Sequence, residues 1–265
     1  MSRKALLIGI NYIGTDSALN GCINDVLNIK RFLIENFELP EKNIVLLTEA
    51  SGLPELLPTK ANIIRNIHWL VEGATSESKL FIHYSGHGTY IKDTSGDEND
   101  GRDECLCPLD YQKSGLIKDD TLKRILVDPL PKYCQLFGIF DCCHSGTVLD
   151  LRFNYLFHAN KRNQEYVMTL EKNAKATEAS VVILSGCLDN QTSADYFESS
   201  TNQYSGALTF SFLRAYERLS ANNKKVNCMN LMRLLYTYIK KGRFTQNPKI
   251  STGKLTNLDS KITIL

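Results

Sequence analysis

The sequence has no long apolar run, and this absence limits where the protein can work. No stretch approaches the roughly 18 apolar residues of a membrane span, and the first run, Ala5–Ile10, is too short for a signal peptide. The charges nearly cancel, with 31 basic and 29 acidic residues, so no overall field attracts nucleic acid or an anionic membrane. We therefore expect a cytoplasmic protein that binds no membrane and no nucleic acid, and no N-terminal prodomain before the first strand.

The cysteines lack a pattern as well. The eight cysteines include no Cys-x-x-Cys pair and form no regular framework, which argues against a structural zinc site and against a disulfide scaffold. A cysteine phosphatase would need an arginine six residues after Cys143 to hold phosphate, but that position is Leu149. A redox switch through the adjacent Cys142 and Cys143 stays open, although a vicinal disulfide is strained.

Short apolar runs alternate with helical patterns, which is typical of an α/β fold with a mostly parallel sheet covered on both faces. The apolar runs predict strands at Ala5–Ile10, Asn43–Leu47, Leu80–Tyr84, Gln135–Phe140 and Val181–Ser185, with a sixth near Lys249–Ser251 or Ile262–Leu265. Apolar residues three or four apart predict helices at Asn24–Asn36, Ala61–Glu72, Asp120–Leu126, Leu208–Leu219 and Leu231–Lys240. The segments that break the alternation are predicted loops, at Asp93–Asp110, Leu149–Ala179 and Asp189–Gln203. We expect one domain over residues 1–265.

Two of the predicted strands end in residues that can do chemistry. Cys143 follows the strand that ends at Phe140, and His87 follows the strand that ends at Tyr84. If these strands are neighbours, His87 and Cys143 meet at the carboxyl edge of the sheet. A free thiol with a pKa of about 8.5 is mostly protonated at neutral pH and needs such an imidazole to become a nucleophile.

We therefore predict Cys143 as nucleophile and His87 as its base, with the amides of Gly88 and Cys143 facing an oxyanion. Glycines beside His87 let the backbone come close to a substrate. Cys142 remains an alternative nucleophile on these grounds, because successive side chains of a strand point to opposite sides and only one thiol can face His87.

Four ordered motifs together resemble the metacaspases, of the type I kind, within the caspase-haemoglobinase superfamily of cysteine peptidases. The motifs are Leu19–Asp25, Tyr84–Thr89, Asp141–Gly146 and Ser185–Asp195. The resemblance implies a caspase-haemoglobinase fold with a central sheet of about six or more strands. It also implies a large-subunit-like part over about 1–150, a connecting segment over about 151–179 and a small-subunit-like part over about 180–265. By the same resemblance, Cys143 and His87 form a dyad that cleaves proteins after Lys or Arg, and the enzyme is a monomer.

Two carboxylates are positioned to bind a basic residue of the substrate. Asp25 follows the first strand and Asp141 ends the fourth, so both can line one pocket that attracts Lys or Arg. Taken alone, Asp25 fits a charge at a helix N-terminus equally well, and Asp141 fits a residue that orients the turn. The resemblance adds Cys22 and Ser85 to this pocket.

A second carboxylate group consists of Asp103, Asp119, Asp120 and Asp150. Four hard oxygen donors suit Ca2+ rather than zinc, although helix capping and a solvated surface explain the same residues. The resemblance implies that these four bind calcium and that the enzyme needs calcium for activation. The nearby Asp97–Gly101 stretch does not keep the spacing of an EF-hand loop.

Two further expectations concern activity. Basic residues between Leu149 and Ala179 are candidate sites of self-cleavage, namely Lys161, Arg162, Lys172 and Lys175. The alternative to a peptidase is a scaffold or chaperone-like protein that keeps the fold without turnover.

Overall fold

A single eight-stranded sheet forms the centre of the molecule. The computed structural model describes residues 2–92, 102–142, 149–157, 166–187, 195–198, 203–242, 244 and 246–265. In spatial order the strands are β2 (Ile44–Thr48), β1 (Arg3–Gly9), β3 (Lys79–Ser85), β7 (Gln135–Asp141), β10 (Ser180–Cys187), β13 (Asn247–Thr252), β8 (Phe153–Phe157) and β9 (Tyr166–Leu170). The first five are parallel, and the last three continue the sheet in antiparallel pairs. The expected mostly parallel sheet of six or more strands is confirmed.

The alternation of apolar side chains along the strands divides the core into two layers. In β1, Ala5 and Leu7 belong to one apolar cluster, whereas Leu6 and Ile8 belong to the other. Helices α1 (Cys22–Phe37), α5 (Ala207–Ala221) and α6 (Cys228–Lys241) pack on the first face. The second face is covered by α2 (Lys60–Val71) and α4 (Asp119–Leu122), which continues as a wider π-type turn over Lys123–Val127. The expected covering of both faces is confirmed.

Side-chain caps fix where two helices begin. Thr59 accepts a hydrogen bond from the Asn62 amide at 3.3 Å before α2, and Asn227 accepts one from the Asn230 amide at 2.7 Å before α6. The predicted helix over Leu231–Lys240 therefore starts three residues earlier, at Cys228. Within the described part of the chain, no helix is long and apolar enough to cross a membrane.

Smaller elements correct all three predicted loops and locate the sixth strand. The predicted Asp93–Asp110 loop contains β5 (Arg102–Leu106), which pairs with β4 (Gly88–Lys92) and β6 (Ile117–Lys118), and α3 (Tyr111–Ser114) follows. The predicted loop over Leu149–Ala179 contains β8 and β9. Lys249–Ser251 lies in β13, and Ile262–Leu265 forms no strand. In the third predicted loop, Asp195–Glu198 (β11) pairs with Gln203–Gly206 (β12), and much of the rest lies outside the described residues.

Candidate active site

The carboxyl ends of β3 and β7 lie side by side, as the predicted site requires. The two strands are parallel neighbours, and their register pairs Ser85 with Asp141. His87 is two residues beyond Ser85, and Cys143 is two residues beyond Asp141. Cys143 itself lies outside the described residues. Cys142, the alternative nucleophile, is 1% exposed and belongs to the apolar core, so its thiol is not presented at the sheet edge.

The imidazole of His87 is held in one tautomer. Its Nε2 atom lies 2.8 Å from the carbonyl oxygen of Ser17. A carbonyl oxygen can only accept a hydrogen bond, so Nε2 carries the hydrogen of the neutral ring. The lone pair is therefore on Nδ1, and Nδ1 is the atom of His87 that can take a proton from a thiol.

Two buried tyrosines fix the backbone of His87. The His87 amide donates to the Tyr12 hydroxyl at 2.9 Å, and the Tyr84 hydroxyl donates to the His87 carbonyl at 2.8 Å. The Tyr12 hydroxyl in turn donates to the Cys107 carbonyl at 2.6 Å, and its ring centroid is 4.7 Å from that of His87. Burial raises the pKa of both tyrosines well above the ordinary value, so both hydroxyls keep their hydrogens.

Gly86 leaves space for the hydroxyl groups of these two tyrosines. A Cβ atom at Gly86 would lie 2.9 Å from the Tyr84 hydroxyl and 3.1 Å from the Tyr12 hydroxyl. The structure thus gives Gly86 a packing role in addition to the predicted approach to substrate. Gly88, the predicted oxyanion donor, begins β4 and pairs with Leu106.

The predicted pocket residues Asp25, Ser85 and Asp141 come together under the N-terminus of α5. Both oxygens of Asp25 accept from the Gly206 amide at 2.9 Å, and Asp25 Oδ2 also accepts from the Ser85 hydroxyl at 2.7 Å. Asp141 Oδ2 accepts from the Thr209 amide at 2.7 Å. Asp25 is 0% and Asp141 1% exposed, so β12 and α5 cover both carboxylates.

The fourth predicted pocket residue and a buried histidine lie close to this group. Cys22 precedes Asp25 by three residues on α1, hence on the same side of that helix, and its side chain is buried. His83 Nε2 lies 2.9 Å from the Thr209 hydroxyl, and burial lowers the pKa of His83 to about 3. The imidazole beneath Thr209 is therefore neutral at physiological pH.

Three of the four predicted calcium ligands are brought together. Oxygens of Asp103, Asp119 and Asp120 all lie within 4.8 Å of one another. Antiparallel pairing of β5 with β6 causes this, because it sets Cys105 opposite Lys118 and so brings Asp103 towards the start of α4. The oxygens of Asp119 accept from the amides of Glu104 at 2.7 Å and Asp120 at 2.9 Å.

The electrostatics of this cluster fit a cation. Burial raises the pKa of Asp119 to about 6, and the nearby carboxylates of Asp120 and Asp103 add to the shift. The ammonium of Lys118 forms an ion pair with the Asp103 carboxylate, which is 1% exposed. Three hard oxygen donors, two of them on buried residues, are the donor chemistry that calcium prefers.

Asp150 is not part of that cluster. It adopts a left-handed φ of 43°, and it lines a separate cavity of about 460 Å³ with Lys123, Asp128 and Lys175. Within the described residues, the structure thus groups three of the four predicted ligands.

A second cavity adjoins His87. It has a volume of about 500 Å³ and is lined by Ser17, His87, Gly88, Thr89, Cys107, Tyr111 and Leu116. None of these described lining residues is an aspartate, glutamate, lysine or arginine. The cavity shares no lining residue with the group of Asp25, Ser85 and Asp141.

Comparison with known proteins assigns the family. A sequence profile described as "Metacaspase, peptidase C14 domain" matches residues 3–152. The chain belongs to the metacaspase family. It is 38% identical to Metacaspase-1 of Cryptococcus neoformans var. neoformans over 95% of this chain and 62% of the relative. It is also 38% identical to Metacaspase-1A of Neurospora crassa over 97% of this chain and 64% of the relative. The chain thus spans somewhat less than two thirds of these metacaspases.

The fold is shared with a solved structure of lower sequence identity. The crystal structure of protein GSU0716 from Geobacter sulfurreducens superposes with a TM-score of 0.63 at 22% identity, covering 97% of this chain and 95% of that one. The family expected from the four motifs is confirmed by the profile match and the fungal relatives.

The sequence motifs did not identify several residues of the site. Tyr12 and Ser17 contact His87. Gly206 and Thr209 contact Asp25 and Asp141. Tyr12 alone had a detectable signal, because it follows β1 at the same sheet edge as His87. The other three contribute backbone atoms, which any residue type carries.

Proposed function

We propose that this metacaspase is a calcium-dependent cysteine endopeptidase that cleaves protein or peptide substrates after Lys or Arg through Cys143 and His87. The observation that carries the proposal is the register of β3 and β7. Because Ser85 and Asp141 are direct partners, His87 and Cys143 leave neighbouring strands at the same level. The two residues are therefore expected within reach of each other at the carboxyl edge of the sheet.

In the proposed reaction, His87 Nδ1 takes the proton of the Cys143 thiol, and the thiolate attacks the carbonyl carbon of the scissile bond. The amides of Gly88 and Cys143 donate to the oxyanion that forms. His87 then gives the proton to the leaving amine, and water releases the acyl group from Cys143. The Ser17 carbonyl stabilises the imidazolium between these two transfers, because it accepts from Nε2–H.

The choice of Lys or Arg rests on the buried acidic group. Asp25 and Asp141 place two carboxylates under Gly206, with Ser85 and Cys22 beside them. A substrate guanidinium or ammonium would replace the hydrogen bonds that the backbone of β12 and α5 now donates. Because both carboxylates are covered, this pairing requires the segment around Gly206 to move outward.

Calcium is assigned to Asp103, Asp119 and Asp120, with Asp150 as a further candidate that the fold places in another cavity. Asp103, Asp119 and Asp120 would hold the cation, whose positive charge would offset the mutual repulsion of their carboxylates. Lys118 already offsets part of that repulsion through Asp103.

The remaining elements of the proposal come from the resemblance and the sequence. We infer a monomer in the cytoplasm, where the thiols stay reduced, and self-cleavage between Leu149 and Ala179. Lys161 and Arg162 lie outside the described residues. Lys172 and Lys175 are exposed, so a peptidase can reach them.

Fluorogenic peptides that end in Arg, Lys or Asp test the proposal, each with calcium or with chelator. Calcium-dependent turnover of the Arg and Lys peptides, lost in Cys143→Ala and kept in Cys142→Ala, is expected. Asp25→Asn should raise KM for the Arg peptide, whereas Asp259→Asn, at an exposed position, should not. Absence of turnover under every condition would favour the non-proteolytic scaffold, and a preference for Asp would exclude the assigned pocket.

A further inference from the structure

The strongest unexplained feature near His87 is the carboxylate of Glu49. It accepts hydrogen bonds from three consecutive backbone amides, at 2.5 Å from Asn11, 2.9 Å from Tyr12 and 2.8 Å from Ile13. Glu49 follows β2, and the register places Thr48 beside Gly9 of β1. Its side chain therefore reaches across to the loop that leaves β1 at the edge of the active site.

This arrangement needs an anion. An ionised carboxylate only accepts hydrogen bonds, and its two oxygens can serve three donors at once. A glutamine would turn an NH2 group towards at least one of the amides. Hydrogen bonds from backbone amides to a charged acceptor are also about twice as strong as those between neutral groups.

The three amides converge only because the loop is bent at Tyr12. Tyr12 has a φ of 51°, in the left-handed region that bulky residues rarely adopt. Such a conformation persists where surrounding contacts hold it in place. The Glu49 carboxylate provides these contacts, because it accepts from the amides on both sides of the bend.

The same loop makes the contacts that orient the catalytic base. Tyr12 accepts from the His87 amide and packs on its ring, and Ser17 accepts from Nε2–H at 2.8 Å. These contacts fix the tautomer and the orientation of the His87 ring. They exist only while residues 11–17 keep their path.

We propose that Glu49 is a positioning residue of the peptidase, which holds the Asn11–Ser17 loop so that Tyr12 and Ser17 keep His87 in its active tautomer. This inference rests on the proposed function. It predicts that loss of the Glu49 charge weakens the pairing of the Cys143 thiolate with the His87 imidazolium, and thus lowers kcat rather than binding.

The rate of Cys143 alkylation by iodoacetamide as a function of pH tests the inference, because this rate follows the thiolate. Tandem mass spectrometry assigns the modified cysteine, and calcium is present throughout. Glu49→Gln should raise the midpoint pH of alkylation by about one unit, the size expected when one hydrogen bond to a charged group is lost. It should also lower kcat for an Arg peptide about ten- to a hundredfold, with KM within about twofold.

The controls separate positioning from folding. Glu41→Gln makes the same chemical change at an exposed residue that pairs with Lys30, and it should leave the midpoint and kcat unchanged. Glu49→Asp keeps the charge and should recover part of kcat. If Glu49→Gln does not fold, Tyr12→Phe, which removes the acceptor for the His87 amide, should show the same upward shift.

Each outcome decides the question. A lower melting temperature of Glu49→Gln with an unchanged alkylation midpoint would make Glu49 a purely structural residue and overturn the inference. His87→Ala serves as the reference for the proposed function. If His87→Ala leaves the alkylation curve of the wild type intact, the dyad fails and the inference falls with it. If His87→Ala shifts the curve and neither Glu49→Gln nor Tyr12→Phe does, only the inference fails.

Discussion

Gly206→Ala tests the arrangement of the buried acidic group with one methyl group. Gly206 has φ −69° and ψ 142°, which alanine adopts without strain, so its role is spatial rather than conformational. A Cβ atom there would lie 2.7 Å from Asp25 Oδ2 and still closer to Asp141 Oδ2. Both atoms belong to buried side chains held by hydrogen bonds, so neither can retreat cheaply.

The size of the decrease in the free energy of unfolding follows from these contacts. Overpacking by one methyl group in a filled site costs about 1–3 kcal/mol. The displacement also lengthens the hydrogen bonds from the Gly206 amide to a buried carboxylate, which adds about 1 kcal/mol or more. We therefore expect the free energy of unfolding to fall by about 2–4 kcal/mol. At roughly 2–4 °C per kcal/mol for a chain of this size, Tm should drop by about 5–15 °C.

Thermal unfolding measures this effect, with chelator present in every sample so that metal binding does not change Tm. Gly186→Ala is the matched control, since a Cβ atom at Gly186 would meet Gln246 at an ordinary 3.6 Å. Its Tm should stay within about 2 °C of the wild type, the change that roughly 0.5 kcal/mol produces. Equal Tm values for Gly206→Ala and the wild type would refute the inferred contact between Gly206 and the two carboxylates.

Three further predictions follow from other parts of the structure. Lys118→Met should strengthen calcium binding about 5- to 30-fold, because an ion pair worth about 1–2 kcal/mol no longer competes with calcium for Asp103. Calorimetric titration measures the calcium affinity with and without Lys118→Met, in the Cys143→Ala protein. Equal affinities of the two proteins would contradict the prediction. The pKa of His83 is lowered to about 3 in the folded protein. As the pH falls below about 6.5, the unfolded chain therefore binds a proton at His83 and the folded protein does not. The free energy of unfolding then decreases by up to about 1.4 kcal/mol per pH unit. His83→Gln should remove this slope in urea unfolding between pH 4 and 6, and a slope that stays the same would show that other groups cause it. Peptides with Leu or Phe after the cleaved Arg should be cleaved faster than those with Asp, and Leu116→Asp should reduce cleavage of the Phe peptide about tenfold, because the cavity beside His87 has no ionic residue in its described lining. A library that shows no preference at this position would exclude the cavity as a subsite.

The sequence predicted the parallel half of the sheet well and its antiparallel edge poorly. The strands β1, β3, β7 and β10 are mostly buried, and these four and the half-buried β2 each contain a run of apolar residues, so each is recognisable by itself. Strand β8 is defined instead by its pairing with β13, from a distant part of the chain, and β9 is defined by its pairing with β8. Exposed Met168 and Leu170 in β9 interrupt any apolar alternation that would have identified an edge strand.

The site shows the same division. His87, Asp25 and Asp141 carry chemically distinctive side chains, so motif spacing could select them as candidates. The fold brings Asp25, Ser85 and Asp141 together. Their partners were hidden because many are backbone atoms. The Ser17 carbonyl and the Gly206 amide could belong to any residue type, and Gly206 is 181 residues from Asp25.

Those backbone partners indicate which features of the site are constrained. Asp25, Asp141 and Glu49 each accept from backbone amides, so a change in the donor's side chain does not remove the donor. What cannot change is the negative charge of the acceptor and, at Gly206, the absence of a side chain. Substitutions at Ser17 should therefore be tolerated far better than the isosteric change Glu49→Gln, although Ser17 touches His87 and Glu49 does not. Contact with His87 is then a poorer guide to importance than the kind of atom that makes the contact.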